Sequence, residues 1–175
     1  MDEKELIRHL MQTSYLEGDF TLRSGRRSHY LIDKYGFETR PKLLQEVSRR
    51  LAEMLPDGAD RLAGVELGGV PLVTAVALES GLPFVIVKKQ RKGYGSDKLI
   101  EGELNSGEHV VLMEDVTTTG GTACKAAETL REAGAGQVDV LTVVDRQEGA
   151  EKTFRDVDVA FRALFTRESL GIEAD

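Results

Sequence analysis

Four short apolar runs constrain this chain more than anything else in it: Leu62–Leu67, Phe84–Val87, Val110–Met113 and Val138–Val144. Each stops on a polar or glycine pair, in turn Gly68-Gly69, Lys88-Lys89, Glu114-Asp115 and Asp145-Arg146. Helical patterns lie between them, one from Pro71 to Gly81 and one over Thr122–Ala133, and a further strand is expected over Val159–Phe165. Near-continuous apolar strands alternating with helices call for a mostly parallel sheet with helices on both faces. Ligands of such sheets sit at the carboxyl ends of the strands. The four pairs should therefore meet in one crevice.

The N-terminal part is built differently. Leu6, Ile7, Leu10 and Met11 mark a short amphipathic helix over residues 2–13. Phe20–Phe37, rich in Ser, Gly, Arg and Tyr, reads as short strands and turns. Pro41 then opens a helix carrying Leu43, Leu44, Val47, Leu51 and Leu55, which Pro56-Asp57-Gly58 stops. Residues 88–106, polar and glycine-containing, read as a long loop or a floppy hairpin, and a loop of that length in a compact domain is usually functional or disordered. The 175 residues suit one domain, with about 1–37 set against an α/β core of about 38–175.

The segment from Val110 to Thr122 carries the chemistry. An apolar strand leads into Glu114 and Asp115, then Val116, Thr117, Thr118, Thr119, Gly120, Gly121 and Thr122, where the next helix begins. A helix N-terminus offers unpaired N–H groups and partial positive charge. The glycines allow close backbone approach and the threonines add hydroxyls, which together make a seat for a phosphate. The lysine of a Walker A loop and the spacing of a dinucleotide fingerprint are both missing. Carboxylates beside a phosphate need another partner, and vicinal ribose hydroxyls provide one. The segment thus specifies a ribose 5-phosphate. A plain helix cap at Thr119 or Thr122 is the simpler use of such a turn, but two adjacent carboxylates ahead of it favour a ligand.

Composition narrows the rest. A net charge of -7 argues against a nucleic-acid partner, yet Lys88, Lys89, Arg91, Lys92 and Lys98 crowd one loop, as an anionic small ligand would require. No apolar run is long enough for a membrane, and the charged N-terminus does not read as a signal peptide. The single cysteine, Cys124, leaves no disulfide and no thiol pair for a metal. A cytoplasmic location is the expectation. His9, His29 and His109 carry no evident chemistry.

The stretch Leu112–Thr122 resembles the phosphoribosyl-diphosphate motif of the type I phosphoribosyltransferases, acidic pair and TTGG turn included. Phe20–Tyr30 resembles the FTLxSGxxSxxY segment of the orotate branch. Val87–Gly95 with Ile100-Glu101-Gly102 resembles that branch's catalytic loop, and Val144–Gly149 its VDRxEG strand end. The resemblance implies a parallel-sheet fold with helices on both faces and a small N-terminal hood. It implies transfer of ribose 5-phosphate from phosphoribosyl diphosphate to orotate, giving orotidine 5′-monophosphate in pyrimidine biosynthesis. Magnesium, carried mainly by the donor, is the implied cofactor, with no metal site of the protein's own.

By position, the resemblance gives the donor Glu114, Asp115, Val116, Thr117, Thr118, Thr119, Gly120, Gly121 and Thr122, with Lys88, Lys89, Lys92 and Tyr94 at its diphosphate. Lys92 and Asp115 would be catalytic. Thr118, Arg146 and Arg23 would bind orotate. The family's loop reaches a neighbouring subunit, so a homodimer with loop 88–106 at the neighbouring site is implied. Tyr94 stands where the family pattern has a histidine, Lys88 where it has an arginine, and Gly68 where some members have a lysine. Transfer to a purine or another base, or a non-catalytic sensor of phosphoribosyl diphosphate, are the alternatives. A carboxylate clamp by Arg146 favours orotate over a purine, and the lysine loop favours an enzyme over a sensor.

Overall fold

The computed structural model describes residues 1–22, 25–90 and 98–174. Helix α1 (Glu3–Ser14) is capped by Asp2, whose carboxylate accepts the Glu5 N–H at 2.8 Å. It passes directly into strand β1 (Tyr15–Thr21), which pairs antiparallel with β2 (Arg27–Ile32). This two-stranded hood is followed by the short helix α2 (Tyr35–Glu38) and by α3 (Pro41–Glu53), with proline at its first turn.

The remaining elements are β3 (Arg61–Val65), α4 (Gly69–Ser80), β4 (Phe84–Val87), β5 (Ile100–Glu101), β6 (His109–Thr117), α5 (Gly121–Glu132), β7 (Gln137–Asp145), α6 (Ala150–Arg155) and β8 (Phe161–Thr166). Their sheet runs β5-β4-β3-β6-β7-β8, with every pairing parallel except that of β5 with β4. The expected α/β fold with helices on both faces is present.

Side-chain alternation along the strands divides the core in two. Val111 and Met113 of β6 join Leu6, Val47, Leu51, Leu72, Val73 and Val76, beneath α1, α3 and α4. Val110 and Leu112 join Ala123, Ala126, Leu130, Ala150 and Phe154, beneath α5 and α6. Tyr30 of the hood and Phe37 of α2 belong to the first cluster, so the hood shares a core with the main sheet.

Two boundaries differ from the sequence expectation. β6 does not stop at Met113 but continues through the acidic pair to Thr117, with Glu114 opposite Thr142 and Thr117 opposite Asp145 of β7. Ladder hydrogen bonds come from the backbone, so a strand with a partner can continue after its apolar residues end. Within loop 88–106, β5 adds an edge strand, and Lys88 N–H donates to Leu99 O at 2.8 Å. Helix α6 carries too little apolar periodicity for sequence to show it.

Strand order fixes where a ligand can enter. β3 leads through α4 to β4 on one side, whereas β6 leads through α5 to β7 on the other, and the two helices lie on opposite faces. The crevice at such a reversal is where a doubly wound sheet binds ligands. In this sheet the reversal falls between β3 and β6.

Candidate active site

Beyond Met113, β6 delivers Glu114, Asp115, Val116 and Thr117 to the C-terminal edge of the sheet. The chain turns through Thr118 and Thr119 and enters α5 at Gly120, with φ of +82°. A side chain at Gly120 would meet the Phe154 ring of α6 at 3.0 Å. Backbone sign and crowding both require glycine here. Helix α5 has no side-chain cap, so neither Thr119 nor Thr122 consumes the amides of its first turn. A cavity of about 370 Å³ lies over them, lined by Glu114, Val116, Lys125 and the continuous segment from Thr117 to Ala123.

A second cavity, of about 400 Å³, shares Glu114, Val116, Thr118 and Thr122 with the first. It extends to Leu22 and to Leu31–Tyr35 of the hood, Asp115 and Arg146. The two form one crevice with the acidic pair at its centre. Glu114 lines both parts and Asp115 only the hood side, as neighbours on a strand facing opposite ways would do.

Arg146 reaches the crevice because the chain turns sharply after β7. Its N–H donates to Thr117 O at 2.9 Å, and Asp145 Oδ1 accepts the N–H of Gln147 at 2.8 Å. The guanidinium lies 4.1 Å from the centroid of the Tyr30 ring, donates to Ser28 Oγ at 3.1 Å, and has Nε 2.8 Å from Glu148 Oε1. Although only 2% exposed, it lines the second cavity. Its position depends on the hood, through Ser28 and Tyr30.

The other expected residues divide. Lys88 is buried and its Nζ bonds Glu101 of β5 at 2.8 Å; it lines neither cavity and pins the base of its loop. Lys89 N–H donates to Glu66 Oε1 at 2.8 Å while its side chain is exposed. Arg23, Lys92 and Tyr94 lie outside the described residues.

Lys34 is the site residue that sequence reasoning misses. Its Nζ donates to Asp115 Oδ2 at 2.7 Å, across 81 residues of sequence. The other oxygen of Asp115 accepts the N–H of Val116 at 2.6 Å. Burial alone would lower the Lys34 pKa, but the hydrogen bond and charge of Asp115 outweigh it and raise the value. Glu38 of α2 is also close by. It is 4% exposed, and neither of its carboxyl oxygens has a hydrogen-bond partner among the described residues. Burial, and then repulsion from Asp115, push its pKa up to about 8. The same two causes push Glu114 to about 8. Among the described residues, no group of three or more His, Cys, Asp or Glu could hold a metal ion.

Residues 37–163 match the phosphoribosyl transferase domain family. The orotate phosphoribosyltransferase of Methanocella arvoryzae is 46% identical over 169 residues, which is 96% of this chain and 97% of that protein. The structure of Mycobacterium tuberculosis H37Rv orotate phosphoribosyltransferase in complex with 5-phospho-α-D-ribosyl 1-diphosphate matches with a TM-score of 0.79 at 28% identity, over 96% of this chain and 98% of that one. Leishmania donovani UMP synthase matches with a TM-score of 0.84 at 32% identity; 95% of this chain covers 36% of that longer one.

The Glu38 carboxyl has a consequence for stability. Its folded pKa, about 8, exceeds the ordinary 4.5, so folding takes up a proton between those values. The contribution is fully present below about pH 4.5 and is lost as pH rises through 8. Glu114 adds a similar slope. Denaturant melts from pH 5 to 9 should show Glu38→Gln less pH-dependent than the wild type by about one proton. At pH 8.5 the variant should be more stable by about 1–2 kcal/mol. Identical slopes would mean that Glu38 is already ionised in the folded protein.

Proposed function

The chain belongs to the phosphoribosyl transferase family, within its orotate branch, and from that premise we propose that it transfers ribose 5-phosphate from phosphoribosyl diphosphate to orotate. The products are orotidine 5′-monophosphate and diphosphate, a step of pyrimidine biosynthesis. The observation that carries this reading is the single crevice joining the uncapped N-terminus of α5 to the hood-braced Arg146, with Glu114 and Asp115 between them.

In this reading the 5-phosphate takes the amides and hydroxyls of Thr117–Thr122. The ribose hydroxyls lie against Glu114 and Asp115. Orotate stacks its ring in the hood-side cavity, with Thr118 and Arg146 at its polar edge and Arg23 close to it. Guanidinium recognises carboxylate by parallel hydrogen bonds, and a buried guanidinium does so against little competition from water. As N1 of orotate bonds the anomeric carbon, the C–O bond to diphosphate breaks and both electrons leave with the diphosphate, which takes up the proton displaced from N1. Positive charge accumulates on the ribose, where Asp115 can stabilise it, and negative charge on the leaving group. Lys89, Lys92 and Tyr94 meet that group from loop 88–106, whose closure would keep water from the activated ribose. Lys88 acts with them from the loop's base, where it is tied to Glu101.

Magnesium suits this chemistry as an ion that arrives on the donor, since it keeps phosphate and water oxygens as ligands and seldom needs an all-protein cage. Glu114 and Asp115 are the carboxylates that would face it. When bound it would neutralise diphosphate charge. A cytoplasmic location fits the reaction and the lone Cys124. No helix among the described residues is long and apolar enough to cross a membrane.

A homodimer, with loop 88–106 at the neighbouring site, completes the proposal. Leu78 near the end of α4 is 83% exposed, an apolar side chain that a second copy would cover. Sedimentation should find the wild type as a dimer and Leu78→Asp shifted towards monomer; a wild-type monomer would remove the shared site.

Magnesium-dependent loss of orotate absorbance in the presence of phosphoribosyl diphosphate tests the reaction itself. Turnover of adenine or hypoxanthine without turnover of orotate would overturn the acceptor. Arg146→Ala should raise the KM for orotate by about tenfold or more while the KM for the donor stays within about twofold. An equal rise in both would move Arg146 out of the acceptor site.

A further inference from the structure

The ion pair between Lys34 and Asp115 joins the hood to the core, yet its placement suits a larger role. A donor seated as proposed lays its 5-phosphate on α5 and its ribose over the end of β6. Arg146, at the end of β7, lies to one side of that ribose. To the other side lies the end of β3, because the sheet runs β4-β3-β6-β7. Displacement at the anomeric carbon brings the acceptor in on one side and sends the leaving group out on the opposite side. With the acceptor over β7, the diphosphate departs over the β3 turn, and the ammonium group of Lys34 sits there.

The β3 turn is shaped around that ammonium. A Cβ on Gly68 would fall 2.2 Å from Lys34 Nζ, 2.7 Å from Lys34 Cε and 2.4 Å from Asp115 Oδ2. These contacts are far inside van der Waals distance, so a side chain at position 68 would make the ends of Lys34 and Asp115 shift from where they now meet. Lys34 also lines the hood-side part of the crevice, which Arg146 lines as well, with 32% of its side chain still exposed. An ammonium has three N–H donors, and Asp115 uses one. The carboxylate that now holds Lys34 is the one the ribose hydroxyls would approach.

We propose that Lys34 is a catalytic residue of the donor half-site: as the ribose hydroxyls engage Asp115, the Lys34 ammonium turns to the diphosphate and stabilises the charge gathering there while the C–O bond breaks, with Gly68 giving it room to do so. This rests on the phosphoribosyl diphosphate reading, but not on orotate being the acceptor. In the substrate-free protein the same lysine offsets the charge of Asp115, which otherwise stands next to Glu114 and Glu38. One cation thus serves two anions in turn, and its arrival at the leaving group is coupled to correct seating of the ribose.

Calorimetric titration of the intact protein with magnesium diphosphate and, separately, with ribose 5-phosphate measures the two halves of the donor without any acceptor. Lys34→Gln should weaken magnesium diphosphate by about tenfold or more and leave ribose 5-phosphate within about twofold. Lys34→Arg should keep most of the diphosphate affinity. Gly68→Ala, with Lys34 present, should lose it to a similar degree. In turnover, Lys34→Gln should lower kcat and raise the KM for phosphoribosyl diphosphate, with the KM for the acceptor nearly unchanged. Unchanged diphosphate binding in Lys34→Gln, or equal loss of both ligands, would reduce Lys34 to a clamp on the hood and overturn the proposal. Should Lys34→Gln fail to fold, Lys34→Arg and Gly68→Ala decide: a Gly68→Ala protein that binds diphosphate as the wild type does would overturn it. A wild type that binds neither ligand would overturn the donor reading, and this proposal with it.

Discussion

In a parallel sheet every strand ends at the same edge, and that constraint organises this molecule. The apolar side chains of β3, β4, β6 and β7 are committed to two clusters. What the core excludes is delivered together where the strands stop: Gly68, Lys88, Glu114 with Asp115, and Arg146. The strand order reverses between β3 and β6, with α4 on one face and α5 on the other, and the crevice lies over the end of β6. An anion seat, an acidic centre and a buried guanidinium follow from one topological fact plus the residues at four strand ends.

The hood supplies what the sheet cannot. A site formed only by strand ends would be open above, and Arg146 would stand in water, where a guanidinium binds a carboxylate weakly. Tyr30 and Ser28 cover and hold it instead, and Tyr30 and Phe37 root the hood in the same cluster as α1, α3 and α4. The hood therefore lines the crevice and belongs to the core at once. Lys34, at the junction of hood and α2, ties it to Asp115 at the end of β6.

The strand and helix pattern was legible because apolar runs and helical periodicity are local properties, and the cavity over the start of α5 because Glu114–Thr122 is contiguous. Arg146 could be placed at the crevice from its position after an apolar run, and its resemblance to a known strand end gave it a partner. Its bracing by Ser28, across 118 residues, has no local signature. The same holds for Lys34. Nothing in Ile32-Asp33-Lys34-Tyr35 announces an ion pair with a residue 81 positions away, and a lysine in a polar segment reads as surface. Glycine at position 68 was visible as a substitution, but its meaning lies in what occupies the space it leaves. Tertiary charge pairing is the information that a linear pattern does not contain.

The substrate-free site holds an arrangement that is costly without its ligand. Glu38, Glu114 and Asp115 lie close together beside Lys34, and burial with repulsion from Asp115 pushes the pKa of Glu38 and of Glu114 up to about 8. Burying acids without partners works against folding, and such arrangements persist where function needs them. A donor bringing a ribose, a diphosphate and its metal would supply hydroxyls for the carboxylates and anions for the lysine together. Either half alone relieves only part of the imbalance. Ribose without diphosphate would leave the ammonium displaced and unpaired, and diphosphate without ribose would draw Lys34 from Asp115 and leave that carboxylate bare. On that proposal the charge pattern of the substrate-free crevice selects for the whole donor over its fragments.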